Sequence, residues 1–483
     1  MGKRVFKVKM PPGSSPEKKS SPATRFTAGI DVHKYHVTAC VAVRQEQGEA
    51  IERVSVQEFK TDPRGLDTLA KFLAKYPLEA VVMEATGVYS TPVREALEKY
   101  KGWSHHPLIL TFNPTEVKHF PGELHEDKAD AFSMAKFALM GLLRASFIPE
   151  GTLREIRELT REASVLTKES TRAKSRIKRV LAAWGLALPH LDLSKNWAID
   201  LFRALDWSGG DFGKAIKAIK SGEFSVPAIT RNTLAKRDAE YIPFETVVIP
   251  PAIHGVLRGY MLSLAASEAL IARFAGEVEE IIVRCPSIEM VVNQLAQIDG
   301  ITPFSAASIV AEVGDIGRFR TVKQFLAYAG CAPQVHQSGT KTLHGKLTRR
   351  ANPYLKRKFF LIGMLISTTV KRDSDLKAYA MAQRQRHPSK LATKLVWANT
   401  GAKVARVVFA ILRTCRPYQA CHTSNAQLSA GSKDQVEAVP APFSLRDLRR
   451  RSKQFVNYIN RFQADAPAKF RAVADAFGKI TWA

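Results

Sequence analysis

Phe26-Thr-Ala-Gly-Ile-Asp31-Val32 is an apolar run that closes on a carboxylate, and residues 35–43 form a second run joined to it by a tight link. Runs of this length, so closely connected, read as paired strands. Residues 51–59 alternate as a third strand. Residues 63–75 place Leu66, Leu69, Phe72 and Leu73 at helical spacing. Ala80-Val-Val-Met83 lies in a short buried strand over 79–84 that closes on Glu84. A helix over 91–100 has Pro92 in its first turn. A fifth strand follows at 107–110, then a long helix over 127–143 with Asp127 and Asp130 at its start, where the dipole favours acids. The order is three strands, helix, strand, helix, strand, helix: an α/β domain over residues 25–150.

That order gives four carboxylates a common destination. Asp31 and Glu84 end strands, and adjacent strand ends on one sheet edge place side chains close together. Asp127 and Asp130 are three apart and share one helix face. With that helix packed beside the first strand, all four converge, and no core tolerates such a cluster without cations. Oxygen-only clusters hold Mg2+ or Mn2+. Two such ions about 4 Å apart activate a nucleophile and stabilise a leaving oxygen at a phosphodiester. Taken singly, each acid has a plainer role: a turn residue, a helix cap, two acids decorating a helix start. The joint placement is what points to a site. His33 and Lys34 are expected to line it without binding metal, and His125 to be a polar loop residue.

The 483 residues allow two or three domains, and 45% hydrophobic content allows a buried core. Lys and Arg number 72 against 45 acids, a net charge of +27. Its distribution is uneven. Residues 31–150 hold 14 basic and 17 acidic residues, whereas residues 334–420 hold 18 basic and 2 acidic. That second block is the expected nucleic-acid grip. An anionic membrane is the weaker partner: no apolar run approaches the roughly 20 residues of a spanning helix. The longest candidate, 359–370, is short and flanked by Lys358 and Lys371. Residues 1–24 read as a basic, disordered tail. The five cysteines, Cys40, Cys285, Cys331, Cys415 and Cys421, are scattered and odd in number, which suits a reducing cytoplasm; they read as ordinary cysteines rather than zinc ligands.

Residues 151–289 read as an antiparallel coiled-coil hairpin with an elaborated tip. Ile156, Leu159, Ala163, Leu166, Ser170, Ala173, Ile177, Val180 and Trp184 step at alternating threes and fours; Leu257, Tyr260, Leu264, Ser267, Ile271, Phe274, Val278 and Ile281 do the same. Pro189, Gly209-Gly210 and Pro250-Pro251 interrupt the segment between them. Two readings stand: a stalk within one chain, and a stalk that also joins protomers. Residues 290–422 form a mostly α-helical third domain. Ile298-Asp-Gly300-Ile-Thr302-Pro ahead of a helix over 305–313 is helix-hairpin-helix-like, and makes Gly300 and Thr302 candidate phosphate contacts. A loop over 331–346 precedes basic helices from residue 354. Lys341, Lys346, Arg349, Arg350, Lys356 and Arg357 are the candidate nucleic-acid contacts there. Residues 423–483 are a polar linker and a basic helical extension with no assigned role.

The motifs carry a resemblance. Element order and acids resemble the RNase H superfamily in its RuvC-like, Holliday-junction-resolvase branch. Gly29-Ile-Asp31-Val-His-Lys34, Met83-Glu84-Ala-Thr-Gly87 and Asp127-Lys-Ala-Asp130-Ala131 resemble the insertion sequence 110 family of transposases, which includes Piv-type DNA invertases and RNA-guided bridge recombinases. The likeness continues in Ile298-Asp-Gly-Ile, Gly314-Asp-Ile316, Phe325-Leu-Ala-Tyr-Ala-Gly330, Gln337-Ser-Gly339 and Asn352-Pro-Tyr-Leu355. Ala351 departs from the family's usual Gly, and His125-Glu126 from its Lys-Thr.

This resemblance implies a transposase that cuts and rejoins DNA, with Asp31, Glu84, Asp127 and Asp130 as the metal-binding catalytic acids. It implies that Ser338, in Gln337-Ser338-Gly339, is the nucleophile of a phosphoserine intermediate; on local grounds Ser-Gly is an ordinary turn. It further implies partners: element-end and target DNA, a structured guide RNA, and further copies of the chain as a dimer or tetramer. Acids and serine fall in separate domains, so a composite site is expected. Two other readings are a junction-resolving nuclease with a structural Ser338, and a non-enzymatic nucleic-acid binder. The presence of all four acids disfavours the latter.

Overall fold

The computed structural model describes residues 25–45, 50–85, 87–113, 126–143, 145–185, 191–193, 195–241, 248–338, 341–348, 351–416 and 418. The expected tail at 1–24, the extension at 423–483, His125, Arg349 and Arg350 lie outside these residues. The chain divides into two units, Met1–Ile148 and Pro149–Ala483.

The first unit is built on a five-stranded sheet. Its elements are β1 (Arg25–Val32), β2 (His36–Arg44), β3 (Ile51–Lys60), α1 (Pro63–Leu73), β4 (Leu78–Glu84), α2 (Ser90–Lys99), β5 (Leu108–Phe112) and α3 (Asp127–Leu139). The strand order is β3-β2-β1-β4-β5. β1, β2 and β3 pair antiparallel in sequence, while β4 and β5 add in parallel on the other side of β1. The parallel strands need crossovers, and α2 supplies the one from β4 to β5.

Strand side chains alternate faces, and the two faces bury different helices. Ala28, Ile30 and Val32 join Val81 and Met83 in one core with Leu66, Leu69 and Leu73 of α1 and Val93 and Leu97 of α2. The opposite face belongs to α3. There the Thr27 hydroxyl donates to the Ala135 carbonyl at 3.0 Å, Ala42 packs with Ala135 and Leu139, and Val82 packs with Phe112 and Met134. Gly29 is the point of closest approach: a Cβ there would stand 2.1 Å from the Ala131 carbonyl oxygen. A glycine in mid-strand costs stability, but here it lets a helix lie directly on the backbone.

The second unit is helical. α4 (Gly151–Ala183), α5 (Asn196–Trp207), α6 (Phe212–Ser221), α7 (Ala228–Tyr241) and α8 (Pro251–Arg284) come first. Ile156, near the start of α4, shares a core with Val278 and Ile281, near the end of α8. Ile177 and Leu181 share another with Leu257, Met261 and Leu264. The two long helices therefore run antiparallel. The buried stripe of α4 is Ile156, Thr160, Ala163, Ser170, Ala173, Ile177 and Leu181. It departs from the spacing read in the sequence: Leu181 replaces Val180 in the core and Trp184 is exposed. A straight helix drifts against a strict seven-residue repeat, so a stripe over this length slips by a position. Between them α5, α6 and α7 fold onto this second core, where Leu201, Leu205, Phe212 and Ile219 are buried.

The remaining elements are α9 (Pro286–Ala296), α10 (Pro303–Val313), α11 (Val322–Tyr328), β6 (Pro333–Ser338), β7 (Lys341–Leu347), α12 (Pro353–Thr368), α13 (Asp375–Arg386) and α14 (Thr393–Thr414). The segment 331–346, expected as a loop, contains an antiparallel hairpin, with Ser338 paired to Lys341 at its end. Its polar, weakly alternating sequence hides it, because such a stretch carries no period-2 apolar signal. A second correction concerns α14. Lys390–Thr414 is one helix long and apolar enough to cross a membrane by length and composition, which the reading that stopped at 359–370 overlooked. It is packed on α12: a Cβ at Gly401 would lie 2.3 Å from the Phe359 carbonyl oxygen, and one at Gly363 would lie 2.1 Å from that of Trp397. Val396, Val404, Ala405 and Val408 are buried on it.

Candidate functional site

The carboxylates meet because a strand and a helix advance at commensurate rates. Ala131 of α3 lies over Gly29 of β1. Two residues further along β1, about 6.6 Å at strand rise, stands Asp31. Four residues back along α3, about 6 Å at helical rise, stands Asp127. The His33 ring bridges the two side chains, that of Asp31 buried and that of Asp127 half exposed. Asp130 is in the same first turn of α3, where both acids face the positive end of the helix dipole. Glu84 arrives by register. Gly29 pairs with Val82 and Ile30 with Met83, so Glu84 extends the same row of positions as Asp31. It shares the face of Val82, the α3 face.

Two histidines complete the cluster. Nε2 of His33 lies 3.0 Å from Oδ2 of Asp31 and 3.3 Å from Oδ1 of Asp127. Nε2 of His36 lies 3.1 Å from Oδ2 of Asp127. The rings stack, 4.7 Å between centroids at an interplanar angle of 24°. An ionised carboxylate only accepts, so with no cation present both Nε2 atoms carry protons and donate. Burial pushes the Asp31 carboxyl above its ordinary value, the His33 contact pulls it back, and the Asp127 charge adds to the rise. The Asp127 carboxyl is held low, first by the hydrogen bond from His36. Burial works against the charge on His33, but Asp31 and Asp127 together raise its pKa. The arrangement is an acidic cluster at the strand ends, and its oxygen donors fit a hard divalent cation.

His33 thus takes a larger part than lining the site. His36 was missed altogether. Its signal lay in the hairpin: Asp31 pairs with Thr38, directly paired residues share a face, and His36 is two from Thr38.

In the second unit Gly300 has a left-handed φ of +82° and packs toward Ile362, Leu365 and Ile366. The Thr302 hydroxyl caps α10 by accepting from the Ser305 amide at 3.2 Å. The Lys356 ammonium donates to the Thr348 carbonyl at 3.0 Å, tying the foot of the hairpin to α12. Arg357 is exposed on α12. For Ser338, Lys341 and Lys346 the backbone is placed in β6 and β7, while their side chains lie outside what is described.

A buried polar network that the sequence reading did not foresee anchors this region. Glu312 of α10 is 1% exposed. Arg161 grips it with Nε at 2.6 Å and Nη2 at 2.9 Å, and Arg157 pairs with it at 3.1 Å. Asn352, the N-cap of α12, donates to it at 2.7 Å and to the Tyr328 hydroxyl at 3.3 Å. Tyr328 in turn donates to the Glu312 carbonyl. Three helices and the hairpin's exit are thereby fixed to α4.

The chain resembles known proteins over two of its segments. A model of the DEDD transposases of the IS110 family, described as "Transposase", matches residues 28–184, and one described as "Transposase IS116/IS110/IS902 family" matches residues 292–380. A probable family 20 transposase of Pseudomonas aeruginosa is 26% identical over 209 residues, 43% of this chain and 56% of that protein. The insertion element IS110 43.6 kDa protein of Streptomyces coelicolor is 26% identical over 321 residues, 64% of this chain and 76% of that one. Among solved structures, Thermus thermophilus RuvC aligns over 25% of this chain and 99% of its own, with 18% identity and a TM-score of 0.20. The two family models fall on the two segments that carry the acids and the hairpin, and the chain belongs to the IS110 family of transposases.

Proposed function

We propose that the protein cuts and rejoins DNA strands during movement of a bacterial insertion sequence. What supports this is the His33 bridge between Asp31 and Asp127, with Glu84 extending the row of Asp31 by register and Asp130 in the same first helical turn as Asp127. Asp31, Glu84, Asp127 and Asp130 would hold Mg2+ or Mn2+. Such ions supply Lewis-acid polarisation of a phosphodiester and stabilise a departing oxygen. The acids set the position of that charge, and His33 and His36 fix the two carboxylates nearest them.

The proposal extends to the second unit. Ser338 attacks the phosphorus of a DNA strand, its Oγ–P bond forms, the P–O3′ bond breaks, and the freed 3′ oxygen takes up a proton. Attack by a 3′-hydroxyl on the phosphoserine reverses these steps and rejoins a strand, so the bond energy is conserved. Lys341, Lys346, Arg349, Arg350, Lys356 and Arg357 would balance phosphate charge, and Gly300 and Thr302 would present the α10 N-terminus to the backbone. Guide RNA would share the basic block with DNA, the paired long helices would join protomers as a coiled coil, and the work would be done in the cytoplasm. The test is an adduct assay with suicide DNA substrates. Wild type quenched in reaction should carry DNA on Ser338. Ser338→Ala should bind DNA without an adduct, and Asp31→Asn should fold and bind but not exchange strands. Cutting without any adduct would favour a junction-type nuclease; DNA on Tyr328 or Tyr354 would reject the serine.

A further inference from the structure

The acids account for only part of the donor set at this edge. One ring nitrogen of His33, one of His36 and an Asp127 oxygen all lie within 4.8 Å of one another. Within this triad His33 Nε2 stands 3.3 Å from Asp127 Oδ1 and His36 Nε2 stands 3.1 Å from Asp127 Oδ2. Ligands at about 2.1 Å from one ion, set at tetrahedral to octahedral angles, stand about 3.0 to 3.4 Å apart. Both nitrogen–oxygen separations are those of neighbours in one coordination sphere. The backbone makes it so: His33 and His36 flank the β1–β2 link, closed by the His33 amide donating to the His36 carbonyl at 3.0 Å. Asp127 is brought over them by α3.

We infer that His33, His36 and Asp127 form a second cation site, selective for a first-row transition ion over Mg2+, which adjoins the four acids and shares Asp127 with them. Imidazole nitrogen is a poor ligand for Mg2+ and a better one for first-row transition ions, weakest for Mn2+ and stronger towards Cu2+ and Zn2+. An all-oxygen site does not discriminate in this way. The two histidines thus add a metal preference that the four carboxylates lack. Asp31, 3.0 Å from the His33 nitrogen, stands where a fourth donor would approach.

Metal binding to the full chain, without DNA, tests this. Mn2+ and Mg2+ are titrated by calorimetry, and pulsed electron paramagnetic resonance reads bound Mn2+ for coupling to a coordinated imidazole nitrogen. Wild type is expected to show that coupling and to bind Mn2+ more tightly than Mg2+. His36→Gln and His33→Gln should each weaken Mn2+ binding at least about tenfold and diminish the nitrogen signal, leaving Mg2+ binding in place. Absence of nitrogen coupling in wild type, or equal loss of both ions in both variants, overturns the inference. The inference rests on the metal reading of the acids only through Asp127. Asp130→Asn separates the two: it should weaken Mg2+ and spare the nitrogen-coupled Mn2+. If Mg2+ binding is unchanged in Asp130→Asn while the coupling persists, the four-acid reading fails and the histidine site stands.

Discussion

Gly29→Ala isolates the feature that assembles the site. The added methyl would sit 2.1 Å from the Ala131 carbonyl oxygen, 2.6 Å from the Ala135 amide nitrogen and 3.0 Å from the Met134 Cβ. Two of the three are backbone atoms of α3, which no rotamer change can move. Restoring ordinary contact requires α3 to retreat by about 1.3 Å at this point. Overpacking of this kind costs about 1–3 kcal/mol. At about 2 kcal/mol the opening equilibrium of α3 rises about thirtyfold. Hydrogen exchange of the full chain, followed by mass spectrometry on α3 peptides, reads that change directly. Metal affinity should fall with it, since Asp127 is carried off Asp31. Gly276→Ala in α8 is the control: no atom lies within 4 Å of its added Cβ, and it should gain about 0.5–1 kcal/mol in a helix interior. Unchanged α3 protection in Gly29→Ala would refute the claim that direct contact of helix on strand holds the site.

Glu312→Ala should destabilise the second unit by about 3–5 kcal/mol, because it leaves the guanidinium groups of Arg157 and Arg161 without their shared carboxylate; urea unfolding reads the loss, and adding Arg157→Met should restore part of it. In metal-free protein with chelator, stability of the first unit should peak between about pH 4 and 6.5. Asp127, held low by His36, contributes stability that is lost as pH falls through its folded value, while His33, raised by Asp31 and Asp127, and Asp31, raised by burial, contribute stability that is lost as pH rises. Melting temperature against pH checks this, and an acid limb unaltered by His36→Gln would contradict it. Nucleic-acid binding should weaken steeply with salt, and Gln at exposed Arg357, Arg386 or Arg413 should each lower the salt slope by about 1; an unchanged slope in the triple variant would move the grip elsewhere.

What could be read in advance was what burial writes into a sequence. β1 and β4 are buried on both faces, so their apolar runs announced them, and the acids at their ends were placed by counting. The hairpin of β6 and β7 carries polar residues on both strands and left no such record. Glu312 sat inside the apolar run Ile309-Val-Ala-Glu-Val313, where nothing local announces a partner. Its partners Arg157 and Arg161 are about 150 residues away. His36 is the more instructive omission. Residue type alone gave no reason to prefer it to His33 or His125. Its face follows from the register of one hairpin, and that register is fixed by the length of the turn between Val32 and Val37, which pair. A shift of one residue there would send His36 to the α1 face and Thr38 away from Asp31. The turn length that makes β1 and β2 a compact hairpin is therefore also what puts two imidazoles on the carboxylates, and the chemistry of the edge and the packing of the sheet are set by the same four residues, His33 to His36.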